Sequence, residues 1–531
     1  MPQKPNIVMV LADHVAFAGH YGESRYPYRW PNLENIGKQG AWFDAAYAIT
    51  PVCTPSRASF LTGKRPDKHG LRWNGEYPIP YNRREFRDDE ILYPELLESA
   101  GYDNYYYGKW HCGVDKTASD YGLTGWSLPE YGNLYACDAY KAYLKRIGEP
   151  QPVCRIDHHL LRPELDGTDV LMDPDEPWDF MDGAGILQGA PEVQEQFFVA
   201  NLAVDRLRQL AEAGYGGEQP FSMVISLWGP HHPYYPSQAF ADLVNPEDIP
   251  LYPSFAETLD DKPIRYRVQR DLRCQHRAFE RWPDWTIWQT VLARCYAAGL
   301  QTDAAIGLIA DCLAETGLAE NTLFIVTADH GDGIASHGAG WDKYSTFTEE
   351  VGRIPLVMRW PGHIPAETRI SSPVNLLDVT ATLLDAAGVD ASSRHPLSPD
   401  GESLLPFTTG AAGREQMICD HFGHSGDVSF QKILYRDGWK YVSVWGDEDE
   451  LYHLDTDPYE LENRIDDAST GPLQQAMRDI IIEHIEARRA ERRKWHPPEF
   501  WEDGIVFSSP EWPREETLHL YKLKVQQGYE T

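Results

Sequence analysis

Asn6-Ile-Val-Met-Val-Leu-Ala12 is a continuous, almost wholly apolar run that stops at the polar pair Asp13-His14. Two later runs, Phe221–Trp228 and Thr322–Ala328, have the same character, and polar residues or Gly/Pro close each of them. Short unbroken runs rich in β-branched or aromatic residues predict strands. Because these runs do not alternate with polar residues, both faces of the strands are predicted to be covered, as in a parallel sheet.

Helical patterns lie between the predicted strands. They occupy residues 90–100, 193–213 and 286–316. Helices that alternate with strands indicate an α/β fold, in which ligands bind beyond the carboxyl ends of the strands. The three strand ends are followed by polar pairs: Asp13-His14, His231-His232 and Asp329-His330. We therefore expect the functional site at this edge of the sheet.

The composition is that of a folded protein with an acidic surface. Of 531 residues, 42% are hydrophobic and 24% are charged, which excludes disorder, collagen and coiled coil as descriptions of the whole chain. Lys and Arg number 48 and Asp and Glu number 81, which gives a net charge of −33. Such a surface repels nucleic acid and anionic lipid and attracts metal cations, so we predict neither a nucleic-acid nor a membrane partner.

The cellular location is predicted from two kinds of segment, a membrane span and a signal peptide, for which the sequence shows no pattern. Its longest apolar runs fall short of the roughly 18 residues of a membrane span, and no signal-peptide pattern precedes the first strand. The 8 cysteines are too sparse for a disulfide framework and include no CxxC pair. We expect reduced thiols and a cytoplasmic location.

The sequence pattern divides the chain into three parts. Residues 1–395 are the predicted catalytic α/β domain, with an insertion at about 113–220 over the sheet edge. Short strand patterns and a helix pattern then predict a C-terminal α+β subdomain over 396–494. Residues 495–531 are rich in aromatics and predict an extended arm, packed on the body or on a neighbouring subunit. From the arm we expect a homo-oligomer, a dimer or tetramer.

The most specific motif is Cys53-Thr-Pro-Ser-Arg-Ala-Ser-Phe-Leu-Thr-Gly63. It resembles the signature of the Cys-type (formylglycine) sulfatase family, in which C-x-P-S-R followed by L-T-G marks the nucleophile. Further pieces of the family pattern follow in order: Asp13, Gly19–Gly22, Pro31–Leu33, Gly108–Gly113, Gly229–Pro233, Thr327–Gly331, Gly340–Lys343 and Glu450–Asn463. The resemblance spans almost the whole chain and weakens over 113–220 and after 495.

This resemblance implies an alkaline-phosphatase-like mixed β-sheet sandwiched by helices, with a smaller C-terminal α+β domain. It also implies that Cys53 is oxidised to formylglycine by a formylglycine-generating enzyme. One hydroxyl of the aldehyde hydrate attacks the ester, and the other then expels sulfate by regenerating the aldehyde. An unmodified thiol would instead form a thiosulfate-type adduct with no easy exit. The alternative interpretation of Cys53 is a buried, inert thiol.

A metal site is predicted from the strand ends. Asp13, Asp329 and His330 can converge there, and oxygen-rich ligands suit a hard divalent cation. The resemblance adds Cys53 as the fourth ligand and makes calcium the default metal, with manganese as the alternative. Many family members carry two adjacent Asp residues after the first strand, whereas this chain has Asp13-His14. His14 either hydrogen-bonds the substrate or fills the second ligand position.

Other residues are assigned to the sulfate group by resemblance. Lys109 and Lys343 bind sulfate oxygens, His111 contacts the nucleophile, and Arg57 holds the deprotonated hydrate and the metal carboxylates. Ammonium groups, as compact point charges, suit a tetrahedral anion.

The departing alkoxide requires an acid. His231 is assigned this role because an imidazole titrates near neutral pH, and His232 is the alternative. His337 is a weaker candidate for the site. Trp341 and the tyrosines of residues 113–190 either shape the alcohol pocket or pack in the core.

These assignments predict the metal-dependent hydrolysis of a small sulfate monoester. The near alternative is a phosphonate monoester or phosphate diester hydrolase with the same nucleophile, because the branch of the family that includes choline sulfatases and phosphonate monoester hydrolases also has a single Asp after the first strand. Lys109 and His111 favour sulfate. A third alternative is a non-catalytic binder of sulfated ligands, and the intact set of Cys53, Arg57 and His231 argues against it.

Overall fold

The structure is a computed structural model. It describes residues 4–16, 29–76, 82–172, 181–216, 219–274, 284–343, 345–390, 400–424, 429–444 and 447–495. Three features of the sequence lie outside these residues: the Gly19–Gly22 motif, the predicted domain boundary within 391–399, and the arm after 495.

The strands are β1 (Asn6–Ala12), β2 (Ala41–Phe43), β3 (Ala46–Tyr47), β4 (Asp103–Lys109), β5 (Thr124–Leu128), β6 (Val153–His159), β7 (Asp169–Leu171), β8 (Gly183–Leu187), β9 (Phe221–Ser226), β10 (Thr322–Ala328), β11 (Leu356–Arg359), β12 (Thr368–Ile370), β13 (Val374–Asn375), β14 (Gln416–His421), β15 (Gln431–Arg436), β16 (Trp439–Val444) and β17 (Glu450–His453).

The helices are α1 (Pro31–Lys38), α2 (Cys53–Thr62), α3 (Pro66–His69), α4 (Tyr93–Ser99), α5 (Asp138–Ile147), α6 (Glu195–Glu212), α7 (Gln238–Ala241), α8 (Ile264–Cys274), α9 (Trp285–Glu315), α10 (Glu349–Gly352), α11 (Leu376–Ala386), α12 (Leu405–Thr408) and α13 (Gly471–Trp495).

The main sheet is mixed and eight-stranded, in the order β12-β2-β11-β10-β1-β9-β4-β5. Its centre is parallel: β1 pairs with β10 on one side and β9 on the other, and β4 pairs with β9 and β5. β11 runs antiparallel to β10 and to β2. Every residue of β1, β9 and β10 is buried, as expected for strands covered on both faces.

Two groups of helices flank this sheet. In one group α9 packs against α1 and α6, and in the other α2, α4 and α11 contact one another. The α/β prediction is therefore confirmed. The stretch 113–220 contributes β5 to the sheet edge, a three-stranded sheet ordered β7-β6-β8, and the core helix α6.

Of the described helices, α9 alone is long and apolar enough to cross a membrane on length and composition. Its most apolar window of 18 residues has a mean hydropathy of 1.2, and 67% of that window is buried inside the fold. The core helix of a folded domain passes the same test, so the window is weak evidence for a span.

The C-terminal part is a four-stranded antiparallel sheet, β14-β15-β16-β17, with α13 packed against it. One face of this sheet carries Ile418, Leu434 and Tyr441 against Met477 and Ile481 of α13. The other face packs on residues of the catalytic part, including Tyr47 and Phe347. This smaller α+β unit therefore lies directly against the main sheet's domain.

Candidate active site

Four neighbouring strands of the main sheet bring polar residues to one edge. Ala12 pairs with Ala328, so Asp13 and Asp329 leave β1 and β10 side by side. Gly108 pairs with Ser226, so Lys109, the last residue of β4, lies at the same level. The parallel register thus places residues that are far apart in sequence within contact distance.

Cys53 begins α2, a helix whose residues are all buried. Its Sγ lies 3.1 Å from His330 Nε2 and 3.9 Å from Asp13 Oδ1. Arg57 follows one turn later and therefore projects from the same side of the helix. Its guanidinium donates to Asp329 Oδ2 at 2.8 Å and to Ser226 Oγ at 2.6 Å. The C-x-P-S-R motif therefore delivers a thiol and a buried cation to the sheet edge together.

The four predicted metal ligands converge. One ligand atom from each of Asp13, Cys53, Asp329 and His330 lies within 4.8 Å of the others, and all four residues are buried. His330 Nδ1 hydrogen-bonds Gly331 O at 2.8 Å, which leaves Nε2 as the lone-pair nitrogen facing the group. Two carboxylates and an imidazole beside Cys53 form a donor set that fits a divalent cation.

The charge of the ligand group is balanced by two cations. Lys109 Nζ forms an ion pair with Asp13, and Arg57 lies 3.6 Å from the same carboxylate. Burial raises the pKa of Asp13, but Lys109 and Arg57 outweigh burial and hold it well below its usual value. The carboxyl group of Asp13 is therefore ionised at neutral pH.

A second group of side chains lies beside the first and comprises His14, His231, His232 and Asp342. The rings of His14 and His231 are 4.4 Å apart between centroids. His14 donates its backbone N–H to Asp329, and its Nε2 lies 3.4 Å from Asp332 and 3.5 Å from Asp342. Burial and the charge of Lys343 lower the pKa of His14 well below its usual value. His14 is therefore a neutral imidazole of the second group, and it contacts Asp329 of the first group.

His231 has a defined tautomer. Its Nδ1 lies 2.6 Å from the carbonyl oxygen of His232, an acceptor, so Nδ1 carries the proton. Its Nε2 is 3.2 Å from Lys343 Nζ and accepts from that ammonium group. Burial, His232 and Lys343 together lower the pKa of His231 well below its usual value. The near-neutral pKa expected from the sequence does not hold in the ligand-free site, and His231 is neutral there.

Lys109 and His111 flank the nucleophile position on the other side. Lys109 Nζ is 3.9 Å from Cys53 Sγ and 4.1 Å from the centroid of the Tyr131 ring. His111 is buried, and its Nε2 lies 3.4 Å from the carboxylate of Glu76. Burial lowers the pKa of His111, but Glu76 and a hydrogen bond with Cys53 outweigh it and raise the pKa above its usual value.

Two weaker candidates lie at the margin. His337 pairs with Glu257 and Glu350 and takes no part in either group. The Trp341 ring lies 5.2 Å from the His232 ring, and its Nε1 donates to Asp182 at 3.0 Å.

Several residues around the site were not predicted from the sequence: Glu76, Asp332, Asp342 and His424. Asp342 precedes Lys343 and Asp332 closely follows Asp329, so proximity to the motifs was a usable signal for both. Tyr131 is one of the tyrosines of the insertion, which were predicted only as a group, whereas His424 follows β14 of the C-terminal sheet and had no sequence signal.

Known proteins that are similar to this chain include sulfatases and a phosphonate monoester hydrolase. The profile of the Sulfatase family matches residues 5–389, and that of N-sulphoglucosamine sulphohydrolase, C-terminal, matches residues 337–487. The choline-sulfatase of Rhizobium meliloti is 28% identical, over 98% of this chain and 95% of its own. The arylsulfatase of Clostridium perfringens is 25% identical, over 91% of this chain and 95% of its own. The phosphonate monoester hydrolase of Silicibacter pomeroyi shares the fold, with a TM-score of 0.71 at 21% identity, over 91% of this chain and 95% of its own.

A mixed sheet with buried carboxylates, imidazoles and ammonium groups at its carboxyl edge is typical of the hydrolases of the alkaline phosphatase superfamily. Within that superfamily the chain belongs to the Sulfatase family, whose profile covers most of its length. It is a sulfuric ester hydrolase, with a buried site that can hold a metal ion.

Proposed function

We propose that this enzyme hydrolyses sulfate monoesters of small alcohols with a nucleophile derived from Cys53. The observation that carries the proposal is the position of Cys53 Sγ, which lies 3.1 Å from His330 Nε2 and 3.9 Å from Lys109 Nζ. Conversion of Cys53 to formylglycine, by a formylglycine-generating enzyme, would supply a hydroxyl nucleophile at that point. A second hydroxyl on the same carbon would let the enzyme release sulfate.

The metal belongs to the group of Asp13, Cys53, Asp329 and His330. A divalent cation there, calcium or manganese, would supply positive charge to the nucleophile and to the ester. Arg57 holds Asp329 in place and adds its own charge. Because the cation would displace the ammonium of Lys109 from Asp13, Lys109 becomes available for a sulfate oxygen.

The remaining residues act on the ester itself. Lys109, beside Asp13 and Cys53, and Lys343, beside His231, bind sulfate oxygens, while His111 orients the nucleophile. Lys343 holds a proton against Nε2 of His231, so this pair offers a proton to the leaving oxygen. The negative charge of a bound ester raises the pKa of His231, which restores its capacity as an acid. His14 contributes a hydrogen bond to the substrate.

The phosphonate monoester and phosphate diester activity remains the second candidate. The observation that favours it is the single carboxylate after β1, because His14 lies with the second group and not with the ligands. Lys109 and His111 favour the sulfate monoester.

Domain organisation and assembly complete the proposal. Residues 1–395 would form the catalytic domain with its insertion at 113–220, and residues 396–494 would form the C-terminal subdomain. The aromatic arm over 495–531 would join subunits into a dimer or tetramer, which light scattering of the full chain and of a 1–494 truncation would test.

A rate panel on purified protein, with calcium or manganese restored, tests the activity. We expect kcat/KM for an aryl sulfate to exceed that for an aryl phosphonate monoester and a phosphate diester. Cys53→Ala should abolish turnover, whereas Cys312→Ala, which removes a buried thiol on α9, should not. Peptide mass at position 53 should show the aldehyde. Activity retained in Cys53→Ala, or a dominant phosphonate or diester rate, would overturn the proposal.

A further inference from the structure

The second group of the active site, His14, His231, His232 and Asp342, differs from the first group in its donor atoms. One ligand atom from each of its four residues lies within 4.8 Å of the others. Three of these donors are imidazole nitrogens and one is a carboxylate oxygen, whereas the first group has two carboxylates and one imidazole. Imidazole suits zinc and neighbouring transition metals, and four such donors match tetrahedral coordination. The second group therefore suits a different class of cation.

His14 and His232 have ring nitrogens without hydrogen bonds. The side chain of His14 is completely buried, and among the described residues neither of its ring nitrogens has a hydrogen-bond partner. His232 is 6% exposed, and its Nδ1 also lacks a partner within the same part of the chain. Buried polar atoms are almost always paired, so unpaired nitrogens that face one another point to a ligand between them.

His231 and Asp342 each present one donor atom in a fixed orientation. Nδ1 of His231 carries the proton, because it lies 2.6 Å from the carbonyl oxygen of His232, and Nε2 therefore has the lone pair. Oδ2 of Asp342 lies 2.9 Å from His424 Nε2, and its Oδ1 faces the group, 3.5 Å from His14 Nε2. Hydrogen bonds of this kind orient the ligands of metal sites.

Lys343 occupies the two atoms that a cation would need. Its Nζ lies 3.2 Å from His231 Nε2 and 2.8 Å from Asp342 Oδ1. A metal ion bonded to these two atoms would displace the ammonium group, because both cations require the same lone pairs. The carboxylates of Asp342 and Asp332 would offset the added charge, and Asp332 Oδ1 lies 3.4 Å from His14 Nε2.

We propose that the second group is a separate, inhibitory metal site that binds zinc or a chemically similar transition-metal ion. Its inhibitory character rests on the proposed function, in which Lys343 binds a sulfate oxygen and His231 protonates the leaving group. A metal ion that takes Nε2 of His231 and displaces Lys343 withdraws both residues from the ester. Calcium prefers oxygen ligands and does not compete for this position. One class of cation thus supports the reaction and another blocks it.

The first test measures metal binding without turnover. The protein is saturated with calcium and titrated with zinc in a calorimeter, and we expect it to bind one zinc ion that excess calcium leaves in place. His14→Gln and His232→Gln should each weaken zinc binding by roughly tenfold to hundredfold or more, since even the indirect support of a metal ligand is worth that much. His363→Gln changes an exposed histidine outside the group and should leave the affinity unchanged.

The second test measures competition with the substrate. With calcium present, zinc should raise the wild-type KM for 4-nitrophenyl sulfate and leave kcat nearly unchanged. Inorganic sulfate should in turn weaken zinc binding in the calorimeter, because coupling between two ligands is reciprocal. This second measurement needs no turnover.

The outcomes separate the metal site from the sulfatase proposal. Zinc that excess calcium displaces, or a zinc affinity that neither histidine variant lowers, would overturn the site. Bound zinc that leaves KM unchanged would overturn its inhibitory character. If no ester reacts, the sulfatase proposal fails and calorimetry still decides the metal site. If the variants do not fold, the visible spectrum of cobalt(II) bound to the calcium-saturated wild type decides it: tetrahedral coordination supports the site, and octahedral coordination overturns it.

Discussion

The hydrogen bond between Lys343 and His231 determines what His231 can do. Nδ1 of His231 is committed to the carbonyl of His232, so only Nε2 can face a substrate, and in the ligand-free site Nε2 accepts from Lys343. A sulfate ester would compete for the same ammonium group. Its arrival would therefore both release Nε2 and increase the tendency of His231 to take up a proton.

His231→Gln should impair esters according to the basicity of their leaving groups. Loss of a general acid costs roughly 10²- to 10⁴-fold in rate. An alkyl sulfate should lose most of this factor, because an alkoxide leaves only when protonated. 4-Nitrophenyl sulfate should lose much less, since its phenolate departs unaided. The measurement is kcat/KM for both esters in the wild type and the variant.

His232→Gln is the matched control, because His232 is the competing candidate for the acid. If the leaving-group dependence appears in His232→Gln and not in His231→Gln, the assignment of the two histidines is reversed. An equal loss for both esters in His231→Gln would indicate a binding role instead.

The convergence of the predicted ligand residues could be anticipated from the sequence better than their surroundings. Asp13, Asp329 and His330 follow apolar runs that could only be central parallel strands, and such strands end at one edge. Asp332 and Asp342 depend on the path of the loop after β10, which no periodicity specifies. His231 was identified, but its depressed pKa arises from burial beside Lys343 and could not be derived from residue type.

At the scale of elements, strand β4 is positioned by a glycine. Gly108 has a φ of +105°, and a Cβ on it would lie 1.9 Å from Ser226 O, in the partner strand β9. The close approach of β4 and β9 sets Lys109 at the sheet edge and Ser226 against Arg57. Only glycine permits both the dihedral angle and the approach.

Gly108→Ala should therefore lower both stability and activity. A positive φ costs a residue with a Cβ about 1–2 kcal/mol, and the collision with the backbone of β9 adds to this. Gly101→Ala is the control that measures the cost of a positive φ alone. Gly101 has a φ of +91°, and nothing lies within 4 Å of its Cβ position. We expect a larger loss of thermal midpoint and of kcat for Gly108→Ala. Equal losses in the two variants would show that the approach to β9 is relaxed.

Element prediction succeeded where burial is complete. β1 and β10 have the bounds that their apolar runs predicted, Asn6–Ala12 and Thr322–Ala328. The helix predicted over 90–100 begins later, at Tyr93, with Pro94 in its first turn. β5 is only partly buried or exposed, so its sequence lacks the apolar pattern that would have revealed it.

At the scale of the whole molecule, buried ion pairs join the catalytic part to the C-terminal sheet. Lys440 of β16 lies 2.7 Å from Glu460 and 3.3 Å from Glu349. Nearby, His337 lies between Glu257 at 2.8 Å and Glu350 at 3.3 Å. Through its contacts with Glu257 and Glu350, His337 thus holds the loop that leads to Lys343 in place.

This arrangement predicts a pH-dependent contribution to stability. Burial lowers the pKa of His337, but Glu350 and Glu257 outweigh burial and raise it to about 9, from an ordinary value of 6.5. A group whose pKa is higher in the folded than in the unfolded state stabilises the fold fully below its unfolded-state pKa, which is 6.5 for His337. This stabilisation is lost as the pH rises through the folded-state value of about 9. The pKa of Glu350 is lowered from 4.5, so its contribution is present above pH 4.5 and is lost in acid. The pair stabilises most between these limits.

His337→Gln should lower the free energy of unfolding by about 3 kcal/mol at pH 6, since a pKa shift is a stability difference. The deficit should shrink as the pH rises towards 10. Urea unfolding at the two pH values measures it, with the exposed His363→Gln as the matched histidine control. A deficit that is the same at both pH values would show that His337 contributes by packing alone.

The C-terminal unit also reaches the active site through one side chain. His424 Nε2 lies 2.9 Å from Asp342 Oδ2, and the other oxygen of Asp342 lies 2.8 Å from Lys343 Nζ. Burial raises the pKa of Asp342, but Lys343 and His424 outweigh it and hold the pKa well below its usual value. Asp342 is therefore charged, and His424 fixes the carboxylate that orients the lysine.

His424→Ala should consequently raise KM and lower kcat/KM for an aryl sulfate about tenfold, because a hydrogen bond to a charged group is worth about 1.5–3 kcal/mol. The effect should fall on KM more than on kcat, since in the proposed function Lys343 binds the sulfate and the His424 ring acts on Lys343 through Asp342. His453→Ala, on β17 of the same sheet, changes a histidine remote from Asp342 and should leave both constants unaltered. If His424→Ala retains wild-type kcat/KM, or if its loss follows a lowered thermal midpoint that His453→Ala shares, the C-terminal sheet supports the fold without positioning Lys343.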